Sequence, residues 1–374
     1  MKVIISPDSF KGTMSSVEAA ATIEKAIKQI CETIETVCLP VADGGEGTLD
    51  ALVAATNGKF VETTVCNPIG CEIQARYGVL GDGKTCVIEM AQASGITLLS
   101  KEERNPLKAT TFGTGQLIDH ALREGYRHFI IGIGGSATND AGLGMLHALG
   151  VKFLDKALQP LPIEVSSLEK LHRIDTSEMN ELISQSHFTI ACDVDNPLVG
   201  ERGATAIFGP QKGVMPEQIK QFDEYLICFA DVVEKEIGIR LHDYPSAGAA
   251  GGIGGALKAY FPSTFKKGID VVLEALQYDE HLQNAQLVIT GEGKSDIQTL
   301  AGKAPMGIAL KAKEYNVPTV LISGVIDEAA TNELQQLFAH VISVVGDDIT
   351  PKESIGDPAK CLQERVQKAF QTIL

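Results

Sequence analysis

Leu287-Val-Ile-Thr-Gly-Glu-Gly-Lys-Ser-Asp296 is the stretch on which the fold turns. Residues 287–290 form a short apolar and β-branched run, as expected of a buried parallel strand, and the glycines after it mark where such a strand leaves its sheet. The pattern repeats downstream: a helix over about 304–315, a strand at 319–323, a helix from about 328, a strand at 341–345, and a closing helix from about 359. The opening of the chain has the same rhythm. A strand at 3–6 runs into Pro7-Asp8-Ser9. Ser15 and Ser16 then cap a helix that carries Val17, Ala20, Ile23, Ala26, Ile27 and Ile30 on one face. A strand at 36–40 leads through Asp43-Gly-Gly-Glu-Gly-Thr48 into a helix ending near 56. Strands that each feed a helix pair in parallel through right-handed crossovers. Neither end has enough strands for a doubly wound sheet, but together they have five. The prediction is an α/β fold with a discontinuous, flavodoxin-like, doubly wound parallel sheet of order 2-1-3-4-5, built from residues 1–66 together with 272–374.

Residues 67–271 read as an inserted second α/β domain with a mixed sheet. Strands at 73–80 and 85–90 flank Gly81-Asp82-Gly83, a hairpin signal. A helix near 116–123, a strand at 128–131, a helix from about 139 to 148 and a strand at 189–193 follow. The length of 374 residues, 44% of them hydrophobic, is enough for two cores.

The formal net charge of −16 disfavours nucleic acid and anionic lipid as partners. An anionic ligand would therefore need a locally basic site, which directs attention to lysines in glycine-rich loops. The eight cysteines form no CxxC and no Cys/His cluster with zinc spacing, so reduced thiols are expected. The N-terminal run meets polar residues too soon for a signal peptide, and no apolar run approaches the roughly 18 residues of a membrane span. The expectation is a cytoplasmic protein, as a monomer or homodimer, with no membrane and no nucleic-acid partner.

Two motifs are spelled like nucleotide signatures. Gly78-Val-Leu-Gly-Asp-Gly-Lys-Thr85 matches a P-loop, but a strand pattern, Cys86-Val-Ile-Glu-Met90, stands where a P-loop needs a helix. It reads as a hairpin turn. Gly132-Ile-Gly-Gly-Ser-Ala137 fits a dinucleotide fingerprint, with Asp155 about 20 residues on, but Ser136, Thr138, Asn139 and Asp140 crowd its turn with hydroxyl, amide and carboxyl groups. A dinucleotide-dependent oxidoreductase of a small hydroxy acid stands as an alternative on that spelling, and a non-catalytic sugar-acid sensor as another.

Three loops after apolar strands share one chemistry: Asp8-Ser9-Phe10-Lys11-Gly12; Asp43-Gly44-Gly45-Glu46-Gly47-Thr48; and Gly291-Glu292-Gly293-Lys294-Ser295-Asp296 with Gly302-Lys303. Lysines meet phosphate or carboxylate as point charges, acids hold Mg²⁺, and glycines let backbone amides approach oxygens. Taken singly, each loop is an ordinary turn; three with the same mixture point to a site. The insertion adds Asp193, Asp195 and Asn196 after a strand, Lys212 between glycines, and the small-residue run Ser246-Ala-Gly-Ala-Ala-Gly-Gly-Ile-Gly-Gly255, which either faces a ligand or packs against a neighbour.

These segments, in order, resemble the bacterial type I glycerate kinases. Asp8–Gly12, Ala42–Thr48, Arg104-Asn-Pro-Leu107 with Gly113-Thr-Gly115, Ile133–Asp140, Cys192-Asp-Val-Asp-Asn-Pro-Leu198, Phe208-Gly-Pro-Gln-Lys-Gly213, Gly248–Gly252 and Thr290–Gly293 with Gly302–Pro305 carry the resemblance, from residue 3 to beyond 320. Lys294, Ile297 and Ala141 depart from the family pattern. The resemblance implies phosphorylation of D-glycerate by ATP with Mg²⁺, usually to 2-phosphoglycerate, in a cleft between the two domains. Within it, Lys11 is expected to meet the charge of the transferred phosphate and Asp193 to orient or deprotonate the attacking hydroxyl. Ser9, Ser136, Thr138, Asn139, Asp195, Asn196 and Lys212 are expected around the substrate, Gly291, Glu292, Gly293, Lys294 and Lys303 around the nucleotide, and Asp43 and Glu46 at the metal.

Overall fold

Val3, Ile4 and Ile5 alternate in direction along an extended chain, yet all three are completely buried in the computed structural model, which describes residues 1–373. Burial on both faces is the mark of a central strand in a parallel sheet. The strand Lys2–Pro7 pairs in parallel with Glu35–Cys38 on one side and Leu287–Ser295 on the other, and Thr319–Ile326 and His340–Ser343 continue the sheet outward. This is a five-stranded doubly wound sheet of order 2-1-3-4-5, as the apolar runs predict.

Its two faces are covered by different helices. Helix Ser16–Ile30 starts at a capping box in which Ser15 and Glu18 satisfy each other's backbone N–H. It buries Ala19, Ile23, Ala26 and Ile27, and packs beside Leu362, Val366 and Phe370 of helix Pro358–Ile373 over Val3, Ile5, Ile289 and Ile322. On the opposite face Leu321 meets Ala309, Leu334 and Phe338. One segment differs from its sequence reading. Residues 291–295, expected as a loop, remain in the strand, with Glu292 opposite Ser323 and Lys294 opposite Val325. Gly291 is not a breaker here: a Cβ on it would fall 2.0 Å from the Ile322 carbonyl oxygen, so glycine is what lets the pairing continue.

The chain divides into two compact units, residues 1–43 with 47–58 and 267–374, and residues 44–46 with 59–266. The second unit has a six-stranded mixed sheet. Ser263–Lys266, His187–Ala191, His128–Gly132 and Thr85–Glu89 run parallel; Glu72–Val79 and Lys59–Cys66 complete it antiparallel. Lys59–Cys66, grouped by the sequence reading with residues 1–66, thus pairs along its whole length with a strand of the second unit. The segment spelled like a P-loop is the hairpin turn between Glu72–Val79 and Thr85–Glu89, closed by Asp82, whose carboxylate accepts from the Lys84 and Thr85 N–H groups and the Thr85 hydroxyl. Among the described residues, no helix is long and apolar enough to cross a membrane.

The glycine-rich run 246–255 proves to be a packing device. Gly251, at φ +69°, brings its backbone against Thr138 and Asn139; a Cβ there would lie 2.1 Å from the Thr138 carbonyl oxygen. Gly251→Ala combines a left-handed backbone with a clash against main chain and should cost about 2–4 kcal/mol. Urea denaturation checks this, and a variant with wild-type stability would contradict the packing described.

Candidate active site

In the first unit, the carboxyl ends of four strands open onto a cavity of about 520 Å³, the position where doubly wound sheets bind ligands. The first loop enters it because the Asp8 N–H donates to the Gly291 carbonyl at 2.8 Å, which ties the exit of one strand to its neighbour. A turn follows, in which Thr13 and Met14 donate back to the Phe10 carbonyl and Gly12 takes φ +80°. This presents Ser9 and Lys11 to the cavity, and Lys11 is exposed. Asp43, Glu292, Gly293, Lys294, Asp296 and Lys303 also line it. Gly291 lies behind it in the strand.

Charge is finely balanced here. Lys294 sits 3.7 Å from Asp296 and 3.6 Å from Asp327, and Lys303 sits 3.8 Å from Glu292 and 4.0 Å from Asp296. These separations are ionic, beyond hydrogen-bond reach, so the ammonium groups remain available as donors. Glu292 is a fixed element: one carboxylate oxygen accepts from Ser295 Oγ at 2.9 Å and Thr299 Oγ1 at 2.6 Å, and the other faces Lys303. Its burial raises its carboxyl, against the pull of those hydroxyls and Lys303. This engaged carboxylate acts chiefly to place residues 295–303.

Asp8 belongs to the first loop, and its sequence context suggests no role for it. It is 5% exposed, and its carboxyl is pushed up to about 7, first by burial and then by the nearby charge of Asp43, with the Ser9 N–H and Lys11 opposing. The folded protein therefore holds this proton more tightly than the unfolded chain does. Stability linked to Asp8 is full below about pH 4 and is lost as pH rises toward 7. Asp8→Asn should melt higher than wild type at pH 8, with the difference closing by pH 4. Thermal melts without ligand test this, and a pH-independent difference would overturn it.

The second unit holds a different cluster. Lys212, in the short helical turn Pro210–Lys212, is only 1% exposed, and its ammonium donates to Ser136 Oγ and the Thr138 carbonyl, both at 2.7 Å. Burial lowers its pKa to about 7, with the charge of Asp140 acting in the other direction. Asp140, 2% exposed, accepts from the Thr111 N–H and hydroxyl and from the N–H groups of Gly142 and Gly144. Burial still raises its carboxyl. Asn139 donates to Thr205 Oγ1 at 2.9 Å, while Asn139 Oδ1 and Thr138 Oγ1 are buried without a hydrogen-bond partner. Buried polar atoms without a protein partner are uncommon and leave hydrogen-bonding capacity at this place.

The remaining candidates separate. Asp193 is exposed, two residues beyond strand His187–Ala191. Asp195 pairs with Arg202 at 2.8 Å on the surface, and Asn196 donates to the Arg202 carbonyl, so both shape their own loop. Glu46 is exposed, belongs to the second unit and does not line the cavity. The dinucleotide fingerprint is not formed. The helix after it begins only at Leu143, and Asp155 follows Lys152–Leu154, a strand paired antiparallel with Arg173–Asp175 in a separate ribbon. Gly132 and Gly134 are small because the backbone of Gly44 and Gly45 passes close by; a Cβ on Gly132 would meet the Gly44 carbonyl at 2.8 Å.

A doubly wound sheet with lysines and carboxylates gathered at its carboxyl edge defines an anion-handling α/β enzyme. The chain belongs to the glycerate kinase family, whose model matches residues 3–374, and it is by that membership a phosphotransferase. Glycerate kinase of Bacillus subtilis is 45% identical over 373 residues, covering 100% of this chain and 98% of that protein. Glycerate kinase of Haemophilus influenzae is 44% identical, with 100% and 97% covered, and glycerate 2-kinase of Escherichia coli 42%, with the same coverage. A crystal structure assigned as glycerate kinase 2 of Salmonella typhimurium LT2 superposes with a TM-score of 0.91 at 40% identity, covering 100% of this chain and 98% of that one.

Proposed function

We propose that this protein transfers the terminal phosphate of ATP to D-glycerate, giving 2-phosphoglycerate. The observation that carries the reading is the cavity at the sheet's carboxyl edge, with Lys11, Lys294 and Lys303 around it, in a chain that matches the glycerate kinase family from residue 3 to its end. Phosphoryl transfer asks mainly for positioning and charge neutralisation, and these groups are suited to both. Lys11, exposed on a tight turn, is the cation for the charge of the transferred phosphate; Lys294 and Lys303 hold the remaining phosphates.

Mg²⁺ fits Asp8 and Asp43. Two carboxylates with phosphate oxygens and water are the usual donor set for this ion, and the raised Asp8 carboxyl marks a place where a cation would relieve repulsion. Asp8 thus takes the position that the sequence reading gave to Glu46. The ion would neutralise phosphate charge.

Glycerate is assigned to residues 136–139 and Lys212. The Thr138 hydroxyl and the Asn139 carbonyl oxygen, both buried and unpartnered, supply polar contacts for a hydroxy acid, and the Lys212 ammonium holds Ser136 and the Thr138 backbone in place. Asp193 orients or deprotonates the attacking hydroxyl.

ADP release coupled to D-glycerate, with L-glycerate as control, tests the activity, and carbon-13 and phosphorus-31 NMR identify the phosphorylated hydroxyl. No ADP release would sink the reading, and phosphorus on the terminal carbon would change the product to 3-phosphoglycerate. Lys11→Ala should lower kcat by about 10²–10³-fold and Asp193→Asn by about 10²–10⁴-fold, with melting temperatures little changed. Near-normal turnover removes the residue concerned from its role.

A further inference from the structure

The cavity of the first unit has two chemically unlike ends. At one end lie Lys11, Lys294 and Lys303 with their carboxylates. The other end is a wall of Val344, Val345, Pro351, Ile355, Pro358 and Leu362. Val344 and Val345 follow the strand His340–Ser343; the rest come from helix Pro351–Gly356 and the start of helix Pro358–Ile373. The short helix is fixed by its own capping box, Thr350 with Glu353, yet it leaves Ile355 66% exposed beside the cavity. A large apolar side chain held out on a fixed helix at a cavity wall is suited to a flat apolar ligand surface.

Backbone groups of the first two wall residues are already engaged. The Val344 and Val345 N–H groups donate to the Ser323 and Gly324 carbonyls, and the Val344 carbonyl accepts from Arg365 Nε and Nη2. Among the described residues lining this end, only Ser354 carries a polar side chain. A polyphosphate at the lysine end and an aromatic base against this wall together match the cavity's charge pattern, and about 520 Å³ lies within the usual range for sites of such ligands.

We propose that the wall formed by Val344, Val345, Ile355, Pro358 and Leu362 is the purine-base subsite of the phosphate donor, and that it holds the base by packing without reading its hydrogen-bonding edge. The proposal rests on the kinase reading and adds a location and a specificity to it. Purines other than adenine are then accepted, because the side chains of the wall offer no hydrogen-bonding group to the exocyclic positions. A site that hydrogen-bonds such a group rejects the analogue lacking it by about 10⁴-fold or more, whereas packing alone discriminates only weakly.

Binding of a fluorescent N-methylanthraniloyl ADP, measured without glycerate, tests the subsite whether or not glycerate is the acceptor. Two variants act on the wall: Ile355→Asp places a charge on it, and Ser354→Trp fills it. Both should weaken the nucleotide by about tenfold or more, the scale of losing one well-packed apolar contact. Competition by tripolyphosphate, which needs only the lysine end, should stay within about twofold of wild type, as should be expected of distant independent sites. In the D-glycerate assay, GTP and ITP should give kcat/KM within about tenfold of ATP. Unchanged nucleotide affinity in both variants overturns the location. Equal loss of tripolyphosphate binding would instead assign the damage to the whole cavity and overturn it too. A preference for ATP beyond tenfold overturns the absence of base reading. Absence of glycerate-dependent ADP release, with nucleotide binding lost in the variants as expected, would fault the acceptor and leave the subsite standing.

Discussion

Strand Lys2–Pro7 lies in register beside Leu287–Ser295, with Val3 opposite Leu287 and Pro7 opposite Gly291, and the Thr290 hydroxyl donates to the Ser6 carbonyl. Everything at the cavity depends on this pairing. It brings the turn bearing Lys11 beside the strand end bearing Glu292 and Lys294, and the Asp8 N–H fastens one to the other. A shift of one residue would turn every core side chain of the strand to the wrong face and would move Asp8 away from Asp43. The site is thus a property of sheet register before it is a property of any single loop.

The protein carries a net charge of −16, but its ligand is an anion. The structure reconciles the two locally. Lys294 and Lys303 are held by carboxylates at ionic distance, so these cations stay in place without being consumed by tight hydrogen bonds. The second unit solves a related problem by a different route. Lys212 is withdrawn from water and spends two of its donors on Ser136 and the Thr138 carbonyl. A buried ammonium with neutral acceptors and a hydrogen-bonded Asp140 nearby is costly to maintain, which explains why burial depresses its proton affinity.

The order of the parallel sheet was legible because apolar runs and glycine punctuation mark strand ends plainly. What they mark less well is where a strand continues through glycine: residues 291–295 look like a turn until the Ile322 carbonyl is seen to need the space that a side chain would fill. Lys59–Cys66 is hidden for another reason. Its alternating pattern is that of a strand, but only the partner Glu72–Val79 shows which sheet it joins. Of the site, the lysine loops could be read from composition. The burial of Asp8 and of Lys212 could not, since a lysine between glycines or an aspartate after proline looks solvent-facing in sequence. Likewise, two groups of glycines that resemble ligand-binding loops, 132–134 and 248–252, exist so that main chains can touch.

The separation of the two central strands has a consequence during synthesis. The strand Lys2–Pro7 leaves the ribosome some 285 residues before its partner Leu287–Ser295. At about 5–20 residues per second the wait is on the order of tens of seconds. Through that interval an intensely apolar strand has only the edge Glu35–Cys38 to pair with, while the strands of the second unit emerge in the meantime with all their partners within residues 59–266. The order of emergence therefore favours completion of the inserted unit first, and it leaves the strand Lys2–Pro7 in need of shielding until Leu287–Ser295 has followed it.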